Sequence, residues 1–380
     1  MCQRSRNRRG GVLGGAEPVH DRRGRAGGWR PAVQLWCGVM TSEATEQVAD
    51  WLRDSLGWAQ TEFVSALAGG NSNLTWQFRD GERACVVRTP PADDISPTSA
   101  RGIQREAQVL QAIADYPVKA PRVLAWCEEE TVIGRPFLVQ EWVDGVALTD
   151  TLPMAYADSG DSVNRLGEDL IDQLAALHAV PADLQALQKL GRPERFIERQ
   201  IERWLGVRRE HAVRELPELF SLGEWLERNV PAASAPAVIH GDYHLDNTLA
   251  SKEKPEILAI IDWELATVGD CYMDVALMLM FWGDYRTTEP PAFSALQAVS
   301  RRAGVVSRRE LAGRWAESLG RPLNHMNFYM ALAFWRLAAI IEGAYGLHVA
   351  GKLDSDYARG LKYDVPALLA EAQAAAAGDW

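Results

Sequence analysis

Apolar positions change their spacing twice along this chain, and the changes divide it. Over residues 41–56, Val48, Leu52 and Leu56 recur at helical spacing behind Ser42, a plausible N-cap, which predicts a helix. The period then falls toward two. "EFVSAL", "LTWQFR" and "ACVVR" read as strands, and the Asp80–Gly81 pair between the second and third predicts a tight hairpin. Residues 99–114 return to helical spacing, with Ile103, Ala107, Leu110 and Ile113 on one face, and "PRVLAWCEE" and "RPFLVQEWV" supply two more strands. Residues 60–143 therefore predict a five-stranded antiparallel sheet with one helix inserted after the third strand.

Beyond Gly145 the spacing is helical over 163–179, 193–211, 219–229, 274–282, 308–319 and 324–345. The tail "AEAQAAAAGDW" reads as an alanine-rich helix or a fraying terminus. One hairpin interrupts this part, formed by "TLAS", a "KEKP" turn and "EILAIIDW". The expected class is α+β, with a small sheet lobe over residues 40–143 and a larger, mainly helical lobe over 144–380.

Composition adds limits. An apolar share of 47% and a charged share of 24% are ordinary for a globular chain. Residues 1–39 stand apart, with eight arginines, no lysine and two acids, and are expected to be a disordered leader or a mis-assigned start. The whole chain carries −11, so the remainder is at about −17 and is not expected to seek nucleic acid. Cys2, Cys37, Cys85, Cys127 and Cys271 are scattered at no metal-ligand spacing, which suits a reducing cytoplasm. The apolar runs "VALMLMFW" and "ALAFWRLAAII" are short, the second is broken by Arg336, and no membrane span is expected.

Candidate chemistry gathers in "VIHGDYHLDNTLA" and the strand after it. Asp242 precedes the first hairpin strand, Asn247 stands at its start, and Asp262 ends the second strand. A hairpin folds back on itself, so two carboxylates and a carboxamide should converge. Such an all-oxygen set suits Mg²⁺ shared with substrate phosphates.

"H-G-D-x-x-x-x-N" followed by "I-D-W" resembles the aminoglycoside phosphotransferase family, a branch of the protein-kinase-like bilobal fold. The likeness runs from about Phe63 to Tyr345. "GGNSNLTW", "VVRTPP", "REAQVL", "GRPFLVQEWVDG" and "IDWELATVGD" are similar to the branch found as the kinase-like portion of acyl-CoA dehydrogenase fusions. The resemblance implies that Asp242 is the catalytic base and that Asn247 and Asp262 hold Mg²⁺. It further implies that Gly69, Gly70, Asn71, Ser72 and Asn73 offer backbone to the phosphates of ATP. Arg88 takes the place usual for a kinase lysine, with Glu106 as its partner; the first lysine of the chain, Lys119, comes too late. At the hinge, the Glu141 carbonyl and the Val143 N–H would bind adenine.

His240 is expected to brace this loop and His178 to sit in the core. Asp270 and Asp274 of "VGDCYMDVA", where Cys271 stands in place of the family's proline, should cap the next helix and brace the loop. Trp263, Trp282 and Trp335 are core residues or the wall of an acceptor pocket. The expected activity is ATP- and Mg²⁺-dependent transfer of phosphoryl to a small-molecule hydroxyl, with a hydroxyacyl-CoA-like metabolite as acceptor. An aminoglycoside acceptor and a non-catalytic nucleotide-binding pseudokinase are the alternatives.

Overall fold

Local sequence sets each element of the sheet lobe in the computed structural model, which describes residues 42–67, 73–91, 97–148, 151–156, 160–188, 190–286 and 298–380. The leader over 1–39 and the turn residues Gly69, Gly70, Asn71 and Ser72 lie outside them. Helix α1 (Ser42–Leu56) turns Val48, Ala49 and Leu52 inward. Strands β1 (Glu62–Ala66), β2 (Leu74–Asp80) and β3 (Arg83–Thr89) follow, then α2 (Pro97–Ile113), β4 (Val123–Cys127), the short α3 (Glu130–Ile133) and β5 (Phe137–Glu141). The five strands form one antiparallel sheet in the order β1-β2-β3-β5-β4. Asp80 pairs with Arg83 across a two-residue turn whose Gly81 has φ +61°, a conformation glycine adopts without strain.

Period-two alternation gives the sheet two different faces. Trp76, Phe78, Cys85, Val87, Phe137 and Val139 pack with α1 into a closed apolar core. Arg88, Leu138 and Gln140 occupy the opposite face, where α2 lies and where the core continues into the helical lobe. Arg88 is thus aimed at the cleft by its parity on β3.

The helical lobe comprises α4 (Gly160–His178), α5 (Phe196–Glu210), α6 (Pro217–Arg228), α7 (Tyr272–Phe281), α8 (Arg308–Leu319), α9 (Met326–Val349) and α10 (Asp356–Ala376). The alanine-rich tail is helix, begun by Ser355, whose hydroxyl accepts the Ala358 N–H at 3.1 Å. Its Leu361, Val365, Leu368 and Leu369 are buried against α9.

Three expectations change here. Helix α9 has 24 residues, more than its apolar run implied, and is long and apolar enough by length and composition to cross a membrane. More than half of it is buried in the protein, between α5, α6, α7 and α10, and a central helix is apolar all round for that reason. Trp263, Trp282 and Trp335 are fully buried core residues whose indole N–H groups bond the carbonyls of Ile260, Val306 and Leu219, and of the three Trp282 also borders a cavity beside Gly283 and Arg308. The expected hairpin is present as β7 (Thr248–Ala250) and β8 (Ile257–Ile260), but Asn247 belongs to the 3₁₀ turn Leu245–Asn247 just before it. A second ladder, β6 (Ala237–Ile239) with β9 (Thr267–Gly269), had no signal, since three-residue strands are too short to show a period.

Candidate active site

Strand β6 is wholly buried and delivers the chain into His240, Gly241 and Asp242. Gly241 has φ +84°, and a Cβ there would meet the Leu265 carbonyl oxygen at 2.6 Å, so the position needs glycine on both counts. The Asp274 carboxylate, in the first turn of α7, accepts the N–H groups of His240 at 2.6 Å and Gly241 at 2.9 Å. That is the bracing expected of Asp274, while Asp270 accepts the Tyr272 N–H at the start of α7 and the Tyr329 hydroxyl.

His240 is fully buried, and burial pushes its imidazole below its ordinary pKa despite nearby carboxylates, so it is held neutral. Its Nδ1 accepts the Asp242 N–H at 3.3 Å and its Nε2 donates to the Ile261 carbonyl at 3.0 Å. One imidazole therefore bolts the Asp242 loop to the residue before Asp262. His178 is also buried, accepting the Trp315 indole N–H at 3.0 Å.

Asn247 donates from Nδ2 to the Asp242 backbone carbonyl at 2.8 Å and to its carboxylate at 3.1 Å. The Ile261 N–H bonds the Asn247 carbonyl at 2.9 Å, which sets Asn247 beside the Asp262 corner. Burial would raise the Asp242 carboxyl, but the imidazole of His244, 3.7 Å away, with smaller help from Arg336, holds it at about 2. Asp242 is ionised throughout the neutral range.

Asp262 has φ +68°, unusual for any residue but glycine and a mark of a conformation the surroundings impose. From β3, Arg88 reaches across the cleft to Asp262 Oδ1 with Nη2 at 2.7 Å, and to Glu106 Oε1 on α2 with Nη1 at 2.8 Å. Gln140 on β5 donates to the same Glu106 oxygen at 2.8 Å. The Asp262 and Glu106 charges overcome burial and raise the Arg88 pKa, so its charge is permanent. Glu106 is pushed up to about 7, by burial first, with Arg88 opposing and Asp262 and Glu264 adding repulsion.

At the hinge, Glu141 ends β5 with its side chain on Arg122 at 2.8 Å, and Val143 gives its carbonyl to the Gly145 N–H at 2.9 Å. Val146 and Ala250 exchange backbone bonds at 2.9 Å, tying the hinge to β7. Of the glycine-rich turn only Asn73 is described; it donates to Glu264 Oε2 at 2.7 Å.

The structure thus brings Arg88, Glu106 and Asp262 into one contact chain, with Asn247 and Asp242 joined beside it. A family model described as the phosphotransferase enzyme family (APH) matches residues 64–321 of a chain of 380. The chain belongs to the phosphotransferase enzyme family. Among relatives of this phosphotransferase, acyl-CoA dehydrogenase family member 10 of Mus musculus is 30% identical over 289 residues, 75% of this chain and 26% of that protein. Acyl-CoA dehydrogenase family member 11 of Homo sapiens is 27% identical over 296 residues, 77% of this chain and 37% of that protein. The phosphotransferase chain therefore spans only about a quarter to just over a third of these relatives.

A solved Ralstonia eutropha protein, assigned by name to the aminoglycoside phosphotransferases, is 28% identical and superposes with a TM-score of 0.73 over 87% of this chain and 98% of its own. Aminoglycoside phosphotransferase APH(4)-Ia, solved as a ternary complex with AMP-PNP and hygromycin B, shares the fold at 17% identity and a TM-score of 0.56, over 86% of this chain and 98% of its own.

Four residues around the candidate site escaped the sequence. Glu264 ties the sheet lobe to the Asp262 corner through Asn73, and its carbonyl accepts from Arg105 on α2 at 3.4 Å. Gln140 shares Glu106 with Arg88. His244 sits 3.7 Å from the Asp242 carboxylate. Arg336 faces Asp242 from α9, and the sequence had marked it only as a break in an apolar run. Side chains that meet only through the fold carry no local pattern.

Proposed function

We propose that this chain transfers the γ-phosphoryl group of ATP, with Mg²⁺, to a hydroxyl of a small molecule. One observation carries the reading: Arg88 of the sheet joins Glu106 of α2 to Asp262 after the hairpin, so a permanent cation of the sheet lobe meets the helical lobe's carboxylate across the cleft, as a phosphoryl-transfer site requires. In this reading residues 40–143 hold the nucleotide and residues 144–380 supply the catalytic loop and the acceptor site.

Two features of the site fit Mg²⁺. The available groups are carboxylate and carboxamide oxygens, and Asp262, Glu106 and Glu264 crowd about one arginine, so a further cation relieves their repulsion. Asp262 and Asn247 would hold it, and the ion would supply neutralisation of charge on the β- and γ-phosphates.

The remaining work falls to the protein. Arg88 binds phosphate oxygens while keeping Glu106 as its anchor. Asp242 Oδ accepts a hydrogen bond from the acceptor hydroxyl and orients it in line, taking the proton as the oxygen bonds to phosphorus. A carboxylate held at about 2 is a weak base, so its main contribution is orientation, with proton uptake late in the step. Asn247 fixes that carboxylate, and His240 and Asp274 fix the loop. The Glu141 carbonyl and Val143 N–H are assigned to adenine, and the backbone of residues 69–73 to the phosphates.

A hydroxylated metabolite of the hydroxyacyl-CoA kind is the favoured acceptor, a reading supported by relatives named as acyl-CoA dehydrogenase family members. An aminoglycoside acceptor draws on the hygromycin B complex of a fold neighbour. ADP release measured with Mg²⁺ across hydroxylated acceptors tests the activity. Acceptor-dependent release is expected; nucleotide binding with no turnover on any acceptor would instead favour a pseudokinase.

A further inference from the structure

Beside Gly241 lies a cavity of about 250 Å³ whose wall includes Arg105 of α2, Arg192 just before α5, Arg199 and Arg203 along α5, and Arg336 of α9; Arg105 spends its guanidinium on the Glu264 carbonyl. Gly241, adjacent to the proposed base, and Leu265 form its floor on the catalytic side. Arg199 spends its guanidinium on the carbonyls of Glu194 and Arg192. Arg192, Arg203 and Arg336 make no ion pair with a carboxylate among the described residues, and Arg203 lies only over the Trp204 ring, 5.3 Å from its centroid.

Arg336 is the decisive member. Its Nε is buried and has no hydrogen-bond partner. Burial pushes the guanidinium below its ordinary pKa, Asp242 and Asp274 oppose that shift, and Arg203 reinforces it. The one acid in the wall, Asp274, has both oxygens committed to the N–H groups of His240 and Gly241. Holding arginines together with an orphaned donor costs free energy in the empty protein, and an incoming anion would recover it. The arrangement is the more telling in a chain of net charge −11.

We propose that this cavity binds an anionic group of the acceptor, with Arg336 and Arg203 as direct partners, so that the phosphorylated molecule is a hydroxylated anion and not a polycation. The proposal rests on the phosphotransferase reading and names the acceptor class for the same site. The anion anchors in the cavity while the hydroxyl lies at Asp242. A carboxylate or a phosphate satisfies the same chemistry, and guanidinium forks bind either in bidentate fashion.

The test is calorimetric titration of 3-hydroxybutyryl-CoA, glycerol 2-phosphate and kanamycin into the chain saturated with AMP-PNP and Mg²⁺, repeated with Arg203→Met and Arg336→Met. At least one anionic probe is expected to bind, about ten- to a hundredfold more weakly in each variant, as befits loss of a hydrogen bond to a charged group, and more tightly than kanamycin in the wild type. Arg203 is exposed on α5, so its variant keeps the test valid if Arg336→Met fails to fold. Binding of kanamycin alone, binding of no probe, or equal anion binding in Arg203→Met would overturn the proposal. Failure of AMP-PNP itself to bind would instead mark the failure of the phosphotransferase reading, and would take this inference with it.

Discussion

The two sides of Asp242 carry opposite charge balances. On the side proposed for the nucleotide, Arg88 is shared among carboxylates, with Glu106 and Asp262 in contact and Glu264 close behind. On the other, arginines gather in a cavity whose single acid is already spent on backbone N–H groups. A cleft rich in carboxylates receives polyphosphate only together with a cation, whereas a cleft rich in guanidinium receives an anion directly. The difference teaches that net charge, acidic here, says little about what each site accepts. Gly241, next to Asp242 in the chain, lines the second.

The largest effect should come from the residue that both sides address. Asp242→Asn should keep AMP-PNP binding while lowering turnover about 10²–10⁴-fold, the usual worth of a positioned base, as read from steady-state kinetics beside calorimetry. Lost nucleotide binding would place Asp242 with the phosphates. Next is Arg88→Met, which strands Glu106 in the interior and should lower stability by about 3–5 kcal/mol, seen as a fall in denaturation midpoint. An unchanged midpoint would mean that the Arg88–Glu106 contact holds nothing together.

Gly241→Ala perturbs the loop that carries Asp242 and lines the cavity. With φ +84° and a carbonyl in the way, it should cost about 1–3 kcal/mol of stability and weaken both AMP-PNP and anion binding. An effect on one ligand only would show the two sides to be independent. The smallest effect concerns His244, whose imidazole, 3.7 Å from the Asp242 carboxylate, is the leading influence that lowers its pKa. A carboxyl with a depressed pKa contributes stability that is present above its ordinary range and lost as pH falls toward about 2. His244→Gln should therefore move the acid limb of the kcat/KM profile upward. A limb that stays in place would remove His244 from the site's electrostatics.

Much of this was readable in the chain. Alternation in "ACVVR" set both the strand and the face on which Arg88 stands, because parity on a strand decides direction. The spacing of Asp242, Asn247 and Asp262 was readable too, since a hairpin forces nearness. Asn247 landed in a turn and not on a strand, a boundary that hydrophobic spacing cannot fix. Partners distant in sequence were not legible. Glu264 meets Asn73 across 191 residues of chain, and nothing near either residue announces the other. Arg336 is the sharpest case, since an arginine inside "ALAFWRLAAII" looks like an interruption until α9 is set beside α5 and the Asp242 loop.

The central claim is that Asp262, held by Arg88, grips the nucleotide through a metal ion. Isothermal titration of AMP-PNP into residues 40–380, with and without Mg²⁺, in wild type and Asp262→Ala, addresses it directly. Binding that needs Mg²⁺ in the wild type and is lost in the variant is the expected result. Equal binding by the variant, or wild-type binding indifferent to Mg²⁺, would contradict it.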